Sequence, residues 1–63
     1  MKRNIVIDRS YNKFTIDEIL DMTAGYEEVD ICSDFTESFD LIYQLTDMGG
    51  AVYPYGRVLR IEF

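Results

Sequence analysis

The sequence predicts an α/β fold, a two-layer sandwich in which two helices pack on one face of a mixed sheet of three or four strands. Short β-branched segments alternate with two segments whose apolar residues follow helical spacing. A capping box precedes the first helical segment, and glycines follow the end of both. The predicted order is therefore β-α-β-α-β-β, within a single domain that covers residues 1–63.

The first strand and the first helix are predicted before residue 25. Residues 4–8 are short and β-branched, which predicts a strand that is buried on both faces. Thr15 and Glu18 are spaced as a capping box, in which each side chain bonds to the backbone N–H of the other residue. Gly25 is expected to end the helix. The apolar stripe of this helix comprises Ile16, Ile19, Leu20 and Thr23.

The second strand and the second helix follow. Residues 28–32 alternate, so Val29 and Ile31 should face one side of the sheet and Asp30 and Cys32 the other. Ser33 or Asp34 is predicted to cap the second helix. That helix should end at Gly49 and Gly50. Its inward stripe is predicted to contain Phe35, Phe39, Ile42 and Leu45.

Two more strands are predicted at the C-terminal end. Residues 51–53 begin one strand, and residues 53–56 suit a type I turn with Pro54 at its second position. Residues 57–63 then alternate, which predicts a last strand with one apolar face. Right-handed crossovers should place both helices on one side of the sheet and leave its other face bare.

The acidic residues are concentrated in the middle of the chain. Residues 14–50 contain ten carboxylates and no lysine or arginine, whereas all six cations lie outside this block. The net charge is −6. Such segregation predicts a strongly negative surface region, which favours a basic protein surface as the partner. Direct nucleic-acid binding is disfavoured, because affinity for phosphate comes from lysine and arginine.

No catalytic, cofactor or metal site is predicted. The chain has no histidine, and Cys32 is its only cysteine, which argues against a structural zinc site. Asp30 and Asp34 flank Cys32, and nearby carboxylates disfavour a thiolate. A lone cysteine fits a reducing cytosol. With no signal peptide or membrane-spanning segment expected either, the prediction is a cytoplasmic protein that is not an enzyme and does not bind membranes.

Four landmarks between residues 25 and 52 are spaced in a familiar way: Gly25, Asp34, the pair Asp40-Leu41, and Gly49. With these residues the chain resembles the TusA/SirA-like small sulfur carriers, which implies an α/β fold. The chemistry of that family rests on a Cys-Pro-x-Pro motif at the start of the first helix. Residues 11–15 contain neither cysteine nor proline. A divergent sulfur-relay carrier or accessory protein that uses Cys32 is therefore an alternative function.

The outward faces of the two helices are the main candidate binding surface. We name their carboxylates the acidic panel: Asp17, Glu18, Asp21, Asp40 and Asp47. Tyr43 lies in the same outward row of the second helix. Tyr53 and Tyr55 flank Pro54 beside Arg57, and tyrosine and arginine are typical anchors of interfaces. The candidate partner-binding residues are thus Asp17, Asp21, Asp40, Tyr43, Asp47, Tyr53 and Tyr55.

These residues predict a small acidic interaction module that docks a basic protein surface. One specific form is an inhibitor, encoded by a phage or mobile element, that imitates nucleic acid on a nucleic-acid-binding protein. Two other interpretations remain open. The acids can simply keep the protein soluble, or the protein can be a structural subunit that forms a homodimer through its bare sheet face.

Overall fold

The helices and strands follow the predicted order β-α-β-α-β-β. The computed structural model describes all residues from Met1 to Phe63. A short 3₁₀ helix at Arg9–Tyr11 is the one addition. The elements are β1 (Asn4–Ile7), α1 (Ile16–Thr23), β2 (Glu28–Cys32), α2 (Ser38–Asp47), β3 (Ala51–Tyr55) and β4 (Val58–Glu62).

The strands form one mixed four-stranded sheet with the order β1-β2-β4-β3. β1 and β2 are parallel, whereas β4 is antiparallel to both of its neighbours. Both helices pack on the same face, so the predicted two-layer sandwich is confirmed. The core lies between the layers and consists of Ile7, Ile19, Val29, Ile31, Phe35, Leu41, Leu45 and Ile61.

The start of α1 is set by the predicted capping box. The backbone N–H of Glu18 donates to Thr15 Oγ1 at 3.2 Å, and the backbone N–H of Thr15 donates to Glu18 Oε1 at 2.8 Å. Phe14, just before the cap, packs against the core. The helix ends at Thr23, and Gly25 follows with φ of +86°, a left-handed conformation that favours glycine.

The start of α2 differs from the prediction. The helix begins at Ser38, Glu37 occupies the N-cap position without a side-chain hydrogen bond, and Asp34 lies in the preceding loop. Asn12 explains the shift, because its Oδ1 accepts hydrogen bonds from the backbone N–H of Thr36 at 2.9 Å and from Thr36 Oγ1 at 3.1 Å. A residue far away in sequence therefore holds this loop outside the helix.

The inward face of α2 also differs from the prediction. Phe35 is buried, but it precedes the helix and therefore cannot define the phase of the helical stripe. Leu41 and Leu45 are the buried residues of α2, and Ile42 packs against them from a partly buried position. Phe39, which was predicted to face the core, is 84% exposed. The prediction for Phe39 was wrong.

The predicted type I turn at residues 53–56 is also absent. Tyr53, Pro54 and Tyr55 belong to β3, and the hairpin turns at Gly56 and Arg57. Gly56 has φ of +61°, which suits the first position of a two-residue type II′ loop. β3 is an edge strand, the position where a sheet tolerates proline.

β1 is not buried on both faces. It is the other edge strand, and its residues alternate, since Ile7 is fully buried while Val6 is 46% exposed. Both helices lie on the side of Ile7, and nothing covers the other side. We name this uncovered side the open face. The register places Val6, Asp30, Arg60 and Tyr53 in one row across it.

Candidate functional surfaces

The carboxylates of the acidic panel have no cationic partner. Asp17, Glu18 and Asp21 are exposed on α1, and Asp40 and Asp47 are exposed on α2. All ion pairs of the molecule join other carboxylates to Lys2 or Arg60. Because α1 and α2 lie side by side on the same face of the sheet, the helix layer carries five uncompensated negative charges.

Exposed aromatic side chains accompany these charges. Phe39 is 84% exposed and Tyr43 is 71% exposed, and the spacing of four residues places them side by side on α2. Phe39 also borders a groove of about 250 Å³ next to Arg57 and Leu59. Aromatic rings bury much apolar area when a partner covers them. The outer side of α2 is therefore both acidic and aromatic, and we name Phe39 and Tyr43 the aromatic pair.

Phe39 was missed because the predicted stripe started at Phe35. Leu41, Ile42 and Leu45 form a consistent inward stripe by themselves. With about 100° of rotation per residue, that stripe is centred roughly a third of a turn away from Phe39. The signal was therefore present in the sequence, but it becomes clear only when the helix is known to begin at Ser38.

Asp30 on β2 is paired with a cation, unlike the carboxylates of the helices. Asp30 is buried and accepts two hydrogen bonds from Arg60, from Nε at 2.7 Å and from Nη2 at 3.1 Å. Asn4 Nδ2 donates a third at 3.1 Å. The hydrogen bonds from Arg60 are the largest influence on this carboxyl, and they hold the pKa of Asp30 below its usual value. Asp30 thus has a structural role on the open face.

The other acids in and beside the sheet also find partners. Glu28 lies 3.9 Å from Lys2 Nζ and 3.7 Å from Arg60 Nη1, and Glu62 lies 3.9 Å from the same lysine nitrogen. Glu27 accepts a hydrogen bond from the backbone N–H of Arg3 at 2.8 Å. Lys2 and Arg60, which lie outside the acidic block in sequence, therefore compensate Glu28 and Asp30. The carboxylates of the acidic panel form no ion pair.

We expect Asp30→Asn to lower the free energy of unfolding by about 1–2 kcal/mol at neutral pH, because Arg60 loses an ionised, bidentate partner. A lowered folded-state pKa means that the carboxylate stabilises the protein above the unfolded-state pKa of about 4, and that this contribution is lost as the pH falls through the folded-state value. Urea denaturation at several pH values measures this. A difference between variant and wild type that stays constant down to pH 2 would contradict it.

The predicted site residues divide between two surfaces. Five lie on the helix layer: Asp17, Asp21, Asp40, Tyr43 and Asp47. Tyr53 and Tyr55 lie on the open face, since Tyr53 is opposite Arg60 in the register and the Arg60 guanidinium carbon lies 4.8 Å from the centre of the Tyr55 ring. The sheet separates the two groups. A single flat partner surface cannot contact both.

Cys32 lies in a partly buried position at the end of β2. Burial and the charge of Asp34 raise the pKa of its thiol. We therefore expect iodoacetamide to alkylate Cys32 more slowly than free cysteine at neutral pH, because only the thiolate reacts. A rate equal to that of free cysteine would contradict this expectation, and only a rate above it would favour the sulfur-carrier alternative.

The other features of the surface offer no competing chemistry. A second groove, of about 260 Å³, lies where α1 and α2 end and is lined mainly by apolar residues such as Leu20, Leu45 and Phe63. No three acidic or cysteine side chains are grouped so that they could hold a metal ion. No helix combines the length and apolar character that crossing a membrane requires.

Comparison with known proteins found no matching family model, no matching curated protein and no matching solved structure. The resemblance to small sulfur carriers over residues 25–52 stays a prediction. The two surfaces described above are therefore the basis for a functional proposal.

Proposed function

We propose that this protein is a non-enzymatic interaction module of the cytoplasm that docks the basic surface of a partner protein through its helix layer. One observation carries the proposal: the acidic panel has no cationic partner within the chain, and its residues Asp40 and Asp47 share α2 with the exposed aromatic pair. The acids would attract and orient the partner, and the rings would supply the buried contact.

Electrostatics favours a cationic partner. Like charges three or four residues apart on a helix destabilise it by a few tenths of a kcal/mol per pair, and Asp17 and Asp21 have this spacing. Lysines or arginines of a partner would relieve that repulsion. Complementary charge also accelerates association and disfavours wrong partners. Solubility alone explains exposed acids, but it does not explain why Phe39 and Tyr43 are exposed among them.

Nucleic-acid-binding proteins are the partner class that we favour. Their binding grooves are rich in lysine and arginine because phosphate contacts supply most of their affinity. A helix layer with five unpaired carboxylates presents such a groove with negative charges in place of phosphates. The protein would then act as an inhibitor that occupies the groove, a role suited to small proteins of phages and mobile elements.

Capture from a cell lysate tests the proposal. The immobilised protein should retain basic proteins at about 50 mM NaCl and release them at about 500 mM, since salt screens exposed charges. The variant Asp40→Asn/Asp47→Asn should retain much less. Its matched control, Asp34→Asn/Glu62→Gln, removes the same charge outside α1 and α2 and should retain as much as the wild type.

Two results would overturn the proposal. One is that no basic protein is retained at low salt. The other is that both double variants lose the retained protein to the same extent, because net charge rather than the helix layer would then be responsible. A column that carries an unrelated acidic protein of similar net charge identifies proteins that bind by ion exchange alone.

A further inference from the structure

We infer that the open face is the surface through which two copies of this chain associate. The large exposed apolar and aromatic side chains of this face are Val6, Tyr53 and Tyr55, with exposed fractions of 46%, 46% and 54%. They lie on the two edge strands, at opposite sides of the sheet. Nothing in the chain covers them.

The residues of this face are arranged as in protein interfaces. Arg60 lies in the middle, held by Asp30 on β2 and stacked over Tyr55 on β3. Interfaces are enriched in tyrosine and arginine at their centres, and charged residues are usual at the rim. Charged residues supply such a rim at one end of this face, where β1 and β3 begin. They are Lys2, Glu28 and Glu62.

Charge favours a second copy over a strongly charged foreign protein as the occupant. Two helix layers would bring five unpaired carboxylates against five others and repel. On the open face, by contrast, each of Glu28, Asp30 and Glu62 lies within 4 Å of Lys2 or Arg60, and the five groups sum to one negative charge. A strongly charged foreign protein would gain little from charges that are already paired. Two copies of the chain therefore repel each other less through the open face than through the helix layer.

The size of the face indicates a weak dimer. Four strands about 4.8 Å apart and about 17 Å long present a projected area of roughly 330 Å². Stable dimers bury about 800 Å² per partner, which is nearly a fifth of the 4247 Å² surface of this chain. The open face is less than half that size, so we expect a weak dimer with a dissociation constant of about 100 μM or higher. The dimer would present two helix layers on opposite outer sides, which permits bivalent binding.

Sedimentation equilibrium tests the inference on the purified full chain, between about 10 μM and about 1 mM, a range that spans weak association. The weight-average mass should rise from 7.4 kDa toward twice that value. Tyr53→Lys should stay at the monomer mass throughout. Tyr43→Lys makes the same substitution on the helix layer and should behave as the wild type. This measurement does not depend on any partner, so its outcome is separate from that of the proposed function.

A wild type that is still a monomer at the highest concentration would overturn the inference. So would loss of association in Tyr43→Lys but not in Tyr53→Lys, because the interface would then lie on the helix layer. Circular dichroism establishes that each variant is folded.

Val6→Lys, on the opposite edge strand, is the second test variant and should also stay a monomer. A Val6→Lys protein that dimerises as the wild type does would contradict the assignment of the interface to the open face.

Discussion

Alanine at Leu41 is expected to lower the free energy of unfolding by about 2–5 kcal/mol, the usual cost of emptying a leucine site in a core. Leu41 is completely buried between α2 and the sheet. The core of this chain contains only eight side chains, and domains of this size have little stability to lose. A large part of the Leu41→Ala protein should therefore be unfolded at 25 °C.

Alanine at Phe39, two residues earlier on the same helix, should change that free energy by less than about 0.5 kcal/mol. Phe39 is 84% exposed, and alanine has the higher helix propensity. Urea denaturation followed by circular dichroism compares the two variants directly. Equal destabilisation by both substitutions would contradict the helix phase described here and restore the inward stripe that the sequence predicts.

Loss of the aromatic pair is expected to weaken partner binding by about tenfold or more for each ring, as for residues at the centre of an interface. Phe39→Ala and Tyr43→Ala are the test variants, and the protein retained in the lysate experiment is the ligand. Both rings are exposed, so their removal leaves the core intact. Binding should therefore fall without a loss of stability.

Tyr53→Ala is the matched control for this prediction, since Tyr53 is 46% exposed on the open face. Affinities are best measured below micromolar concentrations of the protein, where a weak dimer is dissociated. If Tyr53→Ala weakens binding as much as Tyr43→Ala does, the partner does not distinguish the helix layer from the open face, and the assignment of the site to α2 is wrong.

The order of the elements could be predicted because its signals are local. The capping box of Thr15 and Glu18 and the left-handed Gly25 fix both ends of α1 from within a few residues of each end. Alternation in β2 also placed Asp30 correctly on the side of the sheet opposite to Val29 and Ile31.

The start of α2 could not be predicted because a distant residue determines it. Asn12 holds Thr36 through two hydrogen bonds, and the sequence around Thr36 contains no trace of that contact. The helix consequently begins at Ser38 instead of after Asp34. The predicted phase then put Phe39 in the core, so the prediction missed one half of the aromatic pair.

Contacts between residues far apart in sequence also decide which carboxylates on the surface have a cationic partner. The sequence indicates a block of ten carboxylates, but the pairing of strands brings Arg60 to Asp30 and Lys2 to Glu28. The register between strands is not visible in a single sequence. The fold thus pairs the strand acids Glu28 and Asp30 with cations. It leaves unpaired the acidic panel, whose residues the sequence predicts on the outward faces of the helices.

The most direct test of the helix layer as the binding surface is a nuclear magnetic resonance titration of the ¹⁵N-labelled protein with the retained partner. The amide signals of α2, Ser38–Asp47, and of the exposed side of α1 should shift or broaden most, while those of β3, Ala51–Tyr55, should stay unchanged. Changes confined to β3 and β4, with α2 unaffected, would contradict the proposal that the acidic panel and the aromatic pair form the binding site.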